Sequence, residues 1–234
     1  MARSGATTAP VRTGRRLIAF DRRLGARFVA GADEAGRGSL AGPLVAAAVL
    51  LDYGALRGRS VARLGLLNDS KQLGPEQRER LLSAVLQAAL KVSVQVVSPG
   101  EIDRYGLHRC NLRALACALR AVGEAADVCL VDGFRLGPTA PPHRAIVDGD
   151  TKSAAIAAAS IVAKVVRDRA MRRLDALYPA FGFASHVGYI TPAHAAVVRR
   201  VGPCPAHRLS FQALCYEDRS EEVAIDALTA ELSP

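Results

Sequence analysis

The sequence predicts an α/β fold in which a mixed sheet is covered by helices. Two long apolar runs stand close together near the start, a later segment alternates apolar and polar residues, and two longer segments repeat apolar residues with the period of a helix. In chain order the segments predict strand, strand, helix, strand, helix, strand, strand and helix. This order is typical of a layered domain with one hydrophobic core.

The first two predicted strands are joined by a glycine-rich connection. Residues 26–35, ARFVAGADEA, are apolar up to a pair of acids, and residues 42–51, GPLVAAAVLL, are apolar throughout. A strand without alternation is typical of one that is buried on both faces of its sheet. Because only the six residues GRGSLA lie between the two runs, we expect a hairpin.

The first predicted helix and the third strand follow. Residues 68–74 indicate a loop, and Pro75 suits the first position of a helix. One face of this helix is apolar and carries Leu81, Leu82, Val85, Leu86 and Ala89. Residues 91–98, KVSVQVVS, then alternate as a half-buried strand does.

The second half of the chain predicts a helix, two short strands and a long helix. The helix covers residues 107–125, and the two strands, residues 126–133 and 142–150, both run into Asp-Gly. Residues 153–178 predict the long helix. We expect residues 181–212 to form a C-terminal segment of irregular to helical structure.

Length and charge indicate one globular domain with charged ends. The chain has 234 residues and a formal net charge of +9, so we expect a polyanionic partner. Residues 1–28 contain seven arginines and one acid, and we interpret them as a disordered basic leader. Residues 217–234 contain six acids and form an acidic tail, which leaves residues 29–216 as the folded domain.

Cysteine usage and the apolar runs bear on where the protein works. Five cysteines without a CxxC pair argue against a disulfide framework and against a zinc site, and they fit a reducing compartment. The longest apolar runs are interrupted by Gly, Pro or Lys, and the N-terminus has no apolar signal segment. We therefore expect a cytoplasmic monomer that does not bind a membrane.

Acidic residues recur where predicted strands end. Asp33 and Glu34 close the first strand, Asp132 closes a later one, and Asp148 or Asp150 follows the last. Carboxylates that meet at one edge of a sheet repel each other unless cations lie among them, and oxygen ligands of this kind suit Mg²⁺ or Mn²⁺. Two such ions about 3.5–4 Å apart can catalyse in-line phosphoryl displacement.

Two alternatives stay open at this point. An Asp-Gly pair after a strand is more often a plain turn, which is the simpler interpretation of Asp132 or Asp148 taken alone. Asp33 and Glu34 are neighbours in a strand and should face opposite sides, so they share a site only if the strand ends there and nearby glycines turn the backbone.

The segment GADEAGRGSLAGPLVAAAVL resembles the signature of type 2 ribonuclease H, the ribonuclease HII family. Four further blocks occur in the family's order, namely NDSKQL, LVDG, GDTKSAAIAAASIVAKVVRD and SHVGYITPAH, and the blocks extend from residue 29 to about 212. The resemblance implies a ribonuclease H-like fold. It also implies an endonuclease that cuts the RNA strand of RNA–DNA hybrids, leaves 5′-phosphates, and nicks duplex DNA on the 5′ side of an embedded ribonucleotide.

The resemblance assigns roles to residues. It implies that Asp33, Glu34, Asp132 and Asp150 are catalytic and bind two Mn²⁺ or Mg²⁺ ions, and so it selects Asp150 over Asp148. It further implies eight substrate-binding positions: Gly36, Arg37, Gly38, Lys71, Lys152, Ser160, Lys164 and Tyr189.

Chemistry supports several of these substrate positions. In the loop Gly36–Arg37–Gly38, backbone amides could approach a 2′-OH because no Cβ blocks them, and Tyr189 would lie against the sugar at the RNA–DNA junction. Only four of the 31 basic residues are lysines, and three of these lie in the matching blocks, where a compact ammonium group could meet phosphate.

The match has departures, and other hypotheses stay open. Ser39 stands where the family commonly has Pro, and Val187 and Ile190 stand where it often has Lys and Gly. Only 32 residues precede Asp33, too few for the N-terminal domain of ribonuclease HIII. A hybrid-binding module without turnover would lack one of the four acids, and a different nuclease or strand transferase of this fold would lack the GRG loop and Tyr189.

Overall fold

The computed structural model describes residues 13–67, 74–213 and 215–216, and it confirms the layered α/β fold. Within these residues the sheet strands are β1 Phe28–Ala35, β2 Leu44–Asp52, β3 Ala89–Val97, β4 Val128–Asp132 and β5 Arg144–Ile146. They form one sheet in the order β3-β2-β1-β4-β5. β1 pairs antiparallel with β2, which confirms the hairpin, and parallel with β4.

The described helices are α1 Thr13–Arg22, α2 Arg59–Leu64, α3 Pro75–Ala88, α4 Pro99–Tyr105, α5 Leu107–Gly123, α6 Ala154–Leu177, α7 Phe183–His186 and α8 Pro192–Val201. Two 3₁₀ turns, Gly149–Thr151 and Pro179–Phe181, flank α6. The short helices α2 and α4 were not predicted. For α4 the sequence did hold a signal, since Ser98 and Glu101 form a capping box at its start.

The junction of α3 and β3 differs slightly from the prediction. Ala89 begins the strand instead of ending the helix, and Leu86 on the helix face is 52% exposed. Ala89 belongs to the strand because it pairs with Leu51 in the sheet.

The long helix α6 lies against the centre of the sheet at close range. A Cβ placed on Gly31 of β1 would lie 2.2 Å from the carbonyl carbon of Ala155 in α6. Only glycine on the strand and small residues on the helix permit this separation, which explains the alanine-rich first turns of α6. Helix α5 covers the opposite face of the sheet with a second apolar cluster.

The expectation of a disordered leader through residue 28 is wrong from residue 13 onward. Leu17 and Ile18 of α1 are buried in the core beside α6. Asp21 is also buried, and it accepts hydrogen bonds from the Tyr53 hydroxyl and from the Ala155 amide at the start of α6. This segment is ordered because it supplies apolar surface and a carboxylate that the first turn of α6 uses. Residues 1–12 lie outside the described residues.

The C-terminal segment packs on the end of α6, as an irregular to helical region. Its apolar cluster joins Phe181, Phe183 and Val198 to Met171 of α6 and to Leu40, which lies in the connection between β1 and β2. The C-terminal segment therefore lies against the connection that carries the sequence GRG. None of the helices described is long and apolar enough to span a membrane.

Candidate active site

Asp33 and Glu34 lie inside β1, which continues to Ala35. Successive strand residues point to opposite faces of a sheet, so the two carboxylates diverge. Accordingly, Asp33 is hydrogen-bonded by the Ser160 hydroxyl on α6, whereas Glu34 lies beside Asn111 on α5. The strand does not end at these two residues, because their backbone stays paired with β2. That both carboxylates serve one site stays a prediction.

Asp132 and Asp150 approach the same sheet edge from the neighbouring strand. Asp132 is the last residue of β4, and its Oδ1 accepts a hydrogen bond of 2.6 Å from the Gly149 amide. Asp150 follows Gly149 directly and is buried, whereas Asp148 is exposed with a φ of 50°. The DGD segment therefore buries Asp150, next in the chain to the Gly149 amide that binds Asp132, and leaves Asp148 exposed in the turn.

The carboxylates at this edge interact electrostatically. Burial raises the pKa of Asp33 well above its ordinary value, and the nearby charges of Glu34 and Asp132 raise it further. Burial and the charge of Asp132 raise the pKa of Glu34 to about 7, although Arg37 and Asn111 lower it. The structure thus brings Asp33, Glu34 and Asp132 within reach of each other's charge, and Arg37 offsets part of the repulsion at Glu34.

The polar atoms around Glu34 fit a divalent cation. Glu34 Oε2 is buried without a hydrogen-bond partner. The Asn111 side-chain amide lies close enough to lower the pKa of Glu34, but neither its Oδ1 nor its Nδ2 forms a hydrogen bond. Oxygen atoms that lack hydrogen-bond donors in the protein suit Mg²⁺ or Mn²⁺, which bind oxygen ligands. Across the described residues, however, no three acidic, histidine or cysteine side chains converge as a finished metal site.

The GRG loop follows β1 and has one packed and one open glycine. Gly36 has a φ of 87°, and a Cβ there would lie 1.9 Å from Nε of Arg167. At Gly38 an added Cβ would meet nothing within 4 Å. The Arg37 side chain is exposed and lies over the Phe134 ring, with its guanidinium carbon 4.6 Å from the ring centroid. The backbone around Gly38 is therefore open to a ligand.

Two fully buried arginines hold this loop, and sequence reasoning missed both. Arg167 donates to the carbonyls of Pro43 and Ala41 at 3.0 and 3.1 Å, and Arg208 donates to those of Gly42 and Arg37, both at 3.0 Å. Each side chain is 0% exposed. Burial lowers the pKa of Arg208 to about 10, and the charge of Arg167 contributes. An arginine in a basic chain gives no sequence signal that it is buried.

Tyr189 lies next to the same arginines. Its side chain is 41% exposed, and the Arg167 guanidinium carbon lies 5.8 Å from its ring centroid. Since Arg167 also packs against Gly36, one side chain contacts both the tyrosine and the GRG loop. The structure thus brings these two predicted substrate elements together at the edge where β1 ends.

The two predicted lysines that the structure describes both bind other groups of the protein. Lys71 lies outside the described residues. The Lys164 ammonium forms an ion pair of 2.7 Å with Asp168, which also binds Arg78 at 3.1 Å. Lys152 donates to the Val147 carbonyl at 2.7 Å, and it lines a cavity of about 340 Å³ beside α1.

Comparisons with known proteins identify the family of the chain. The sequence model of the ribonuclease HII family matches residues 30–214. Ribonuclease HII of Salinispora arenicola is 48% identical over 198 residues, which cover 83% of this chain and 72% of that relative.

Solved structures give the same result for the fold. The chain is similar to the ribonuclease H2 of Pyrococcus horikoshii OT3, with a TM-score of 0.67 and 29% identity, covering 79% of this chain and 94% of the other. It also shares its fold with Bst-RNase HIII in complex with Mn²⁺, with a TM-score of 0.62 and 20% identity, covering 90% and 73%. The chain therefore belongs to the ribonuclease HII family and is an endoribonuclease.

Proposed function

We propose that this endoribonuclease cleaves the RNA strand of RNA–DNA hybrids and nicks duplex DNA on the 5′ side of a single embedded ribonucleotide, leaving a 5′-phosphate. The observation that supports this best is the group Asp33, Glu34 and Asp132, which share one sheet edge with an open GRG loop. Acids that repel each other suit cation-assisted hydrolysis, and an accessible backbone suits contact with a sugar hydroxyl.

Asp33, Glu34, Asp132 and Asp150 would hold two Mn²⁺ or Mg²⁺ ions, with ligands supplied from both faces of the sheet edge. Bound there, the ions would polarise the scissile phosphate and activate the attacking water. The unpartnered Oε2 of Glu34 supports this assignment, as does the mutual charge that raises the pKa of Asp33. Ser160 would orient Asp33 through its hydrogen bond.

Recognition of the ribonucleotide would come from the loop and the tyrosine. Gly38 is exposed and has free space around its Cα, so the backbone of the loop could bind the 2′-OH, the group that distinguishes RNA from DNA. The exposed Arg37 would contact a neighbouring phosphate, and the half-exposed ring of Tyr189 would support the sugar on the DNA side. Together these contacts would fix which phosphate lies over the carboxylates.

The charge and thiols of the chain support a nucleic-acid enzyme of a reducing compartment. The formal net charge of +9 favours association with a polyanion. All five cysteines are free thiols, and we propose that the enzyme acts in the cytoplasm in DNA replication and repair.

The proposal is tested with three labelled duplexes that share one sequence: all DNA, DNA with one ribonucleotide, and a full hybrid. We expect cuts in the two RNA-containing duplexes with Mn²⁺ or Mg²⁺, and none with chelator or in the all-DNA duplex. Gly38→Val and Tyr189→Ala should lower turnover on the single-ribonucleotide duplex far more than they weaken binding to plain DNA. Parent enzyme that binds the hybrid without cutting it would favour a binding module instead.

A further inference from the structure

Three histidines form a connected group beneath the loop that carries Tyr189. His186 ends α7, His194 lies in α8, and His207 lies in the C-terminal segment. The rings of His186 and His194 stack with centroids 4.2 Å apart, and the Nε2 atoms of His194 and His207 are 3.0 Å apart. His194 and His207 are buried, and the proposed mechanism uses none of the three.

Two of these imidazoles hold the main chain around Tyr189. The Gly188 amide donates to Nδ1 of His186 at 3.2 Å, and Nδ1 of His194 lies 2.9 Å from the Tyr189 carbonyl. The Gly188 carbonyl accepts a hydrogen bond of 3.1 Å from Ala41, which follows the GRG loop. The position of Tyr189 relative to the GRG loop therefore depends on this short stretch of backbone.

The backbone before Tyr189 needs such support because its conformation is unfavourable. Val187 has a φ of 43° and Gly188 a φ of 80°, so two consecutive residues are left-handed. A β-branched residue in this region is strained, and strain of this kind persists only where the surrounding structure holds the backbone. A Cβ on Gly188 would also lie 2.2 Å from the Ala41 carbonyl oxygen.

The partners of each ring specify its tautomer if the rings are neutral. The Tyr189 carbonyl can only accept, so His194 carries its proton on Nδ1 and its Nε2 must accept from Nε2–H of His207. Nδ1 of His207 is then free to accept from the Cys204 amide at 3.0 Å. Nε2 of His186 donates to the Phe181 carbonyl at 2.8 Å, which leaves its Nδ1 for Gly188.

The surroundings of His194 and His207 favour neutral rings. The rings of Phe181 and Phe183 lie 4.9 and 5.6 Å from that of His207. Burial lowers the pKa of His194, and burial together with the neighbouring His194 lowers the pKa of His207 to about 4.

Other titratable groups near the rings are Cys204, Tyr216 and the two buried arginines. Cys204 Sγ lies 3.2 Å from Nδ1 of His207, and the Tyr216 ring lies 6.4 Å from that of His207. Arg208 follows His207 in the chain, and Arg167 lies against Tyr189. Two carboxylates lie on adjoining segments: Asp175 accepts from the Ala184 amide of α7 at 3.1 Å, and Asp103 accepts from the Leu209 and Ser210 amides. In the part of the chain that the structure describes, neither carboxylate is hydrogen-bonded to one of the three imidazoles.

We propose that His186, His194 and His207 are positioning residues that fix the main chain of Tyr189 through hydrogen bonds made by neutral imidazoles. A proton added to Nδ1 of His207 would break the hydrogen bond from the Cys204 amide, although the Cys204 carbonyl 3.2 Å away could accept from the new N–H. A proton added to Nε2 of His194 would set an N–H against the N–H of His207. The consequence for turnover rests on the proposed role of Tyr189 at the substrate, but the hydrogen-bond arrangement itself does not.

The first experiment is independent of activity. Long-range ¹H–¹⁵N spectra of the full-length protein near neutral pH report which nitrogen of each imidazole is protonated. We expect the Nδ1–H form for His194, which is the less common one, and the Nε2–H form for His186 and His207. His194 in its Nε2–H form, or an imidazolium among the three, would overturn the proposal.

The second experiment measures kcat and KM on the single-ribonucleotide duplex. We expect His194→Ala to lower kcat by about 10- to 100-fold, as displacement of a positioned group does, while affinity for an all-DNA duplex stays unchanged. His194→Asn should recover part of the loss, because its side-chain amide can still donate to the Tyr189 carbonyl. The amide resonance of Tyr189 should shift in the Ala variant and less in the Asn variant.

His143 offers a matched control elsewhere in the fold. Its Nε2 accepts from the Leu136 amide at 2.9 Å and its Nδ1 lies 2.8 Å from the Pro141 carbonyl, so it also braces a loop through both nitrogens. His143→Ala should leave kcat near that of the parent.

The outcomes separate this inference from the proposed function. If Tyr189→Ala loses turnover while His194→Ala behaves like His143→Ala, the positioning role is wrong and the role of Tyr189 stands. If Tyr189→Ala keeps its turnover, the proposed role of the tyrosine is wrong, and the tautomers and the Tyr189 resonance decide the positioning role alone.

Discussion

Replacing the two glycines of the GRG loop by alanine should have very different effects on stability. At Gly36 the φ is 87°, and an added Cβ would lie 1.9 Å from Nε and 2.4 Å from Cδ of Arg167. The Arg167 side chain cannot move away without breaking its hydrogen bonds to the carbonyls of Ala41 and Pro43. Gly38 lies two residues away with open space around it, so it is the matched control.

The expected magnitude follows from two costs. Alanine in the left-handed region costs about 1–2 kcal/mol. Loss of one hydrogen bond from a buried guanidinium costs about 1.5–3 kcal/mol. Gly36→Ala should therefore lower the free energy of unfolding by about 2.5–5 kcal/mol, a drop in Tm of about 5–20 °C for a chain of this size. Gly38→Ala should change the free energy of unfolding by less than about 1 kcal/mol.

The assay is urea unfolding of the parent and both variants followed by circular dichroism. A double-mutant cycle identifies the cause, because in an Arg167→Ala background the added methyl of Gly36→Ala has room. There the cost of Gly36→Ala should fall to about the 1–2 kcal/mol of the backbone term. Equal unfolding midpoints for Gly36→Ala and Gly38→Ala, or an unchanged cost in the cycle, would refute the packing argument.

Three further predictions concern charge. Asp33→Asn should lower turnover by several powers of ten without changing the circular dichroism spectrum, while the control Glu76→Gln, at an exposed position, keeps parental rates. An active Asp33→Asn variant would exclude Asp33 from the proposed metal site. The logarithm of duplex affinity should fall linearly with the logarithm of the salt concentration, with a slope near −0.9 per phosphate neutralised. Deletion of residues 1–12 should change that slope only slightly, and a large change would show that this segment binds the duplex. Because the pKa of His207 is lowered to about 4, its neutral form stabilises the fold fully above its ordinary pKa of 6.5 and progressively less as the pH falls toward 4. The stability difference between the parent and His207→Asn in urea unfolding should therefore shrink over this interval, by up to about 1.4 kcal/mol per pH unit, and a constant difference would contradict the buried neutral ring.

The sequence by itself determined the features that depend on neighbouring residues. Apolar runs and alternation specified β1, β2 and β3, and helical periodicity specified α5 and α6, because side-chain direction in a strand or helix repeats locally. The same local logic placed Asp132 at the end of β4, whereas Asp33 and Glu34 lie inside β1. It also chose the family, since the matching blocks are short and contiguous.

Only the tertiary structure decided which side chains meet. Leu17 and Ile18 gave no clear pattern within a basic leader, but they are buried because α6 offers them an apolar face. The strand β1 stays paired with β2 through Ala35, so the register of the hairpin, not the local glycines, sets Asp33 and Glu34 on opposite faces.

The tertiary structure likewise decided which charged and titratable residues are buried. Arg167 and Arg208 are indistinguishable in sequence from the exposed arginines. Lys164 and Asp168 are four residues apart on the predicted long helix, a spacing that favours an ion pair, but the sequence does not show that Arg78 joins them. His186, His194 and His207 are three of the five histidines and fall within 22 residues, a clustering that could have been noticed. The hydrogen-bond partners described for them lie between Phe181 and His207. The chain reaches these partners through turns and short helices without a repeating pattern, so sequence periodicity could not predict the contacts.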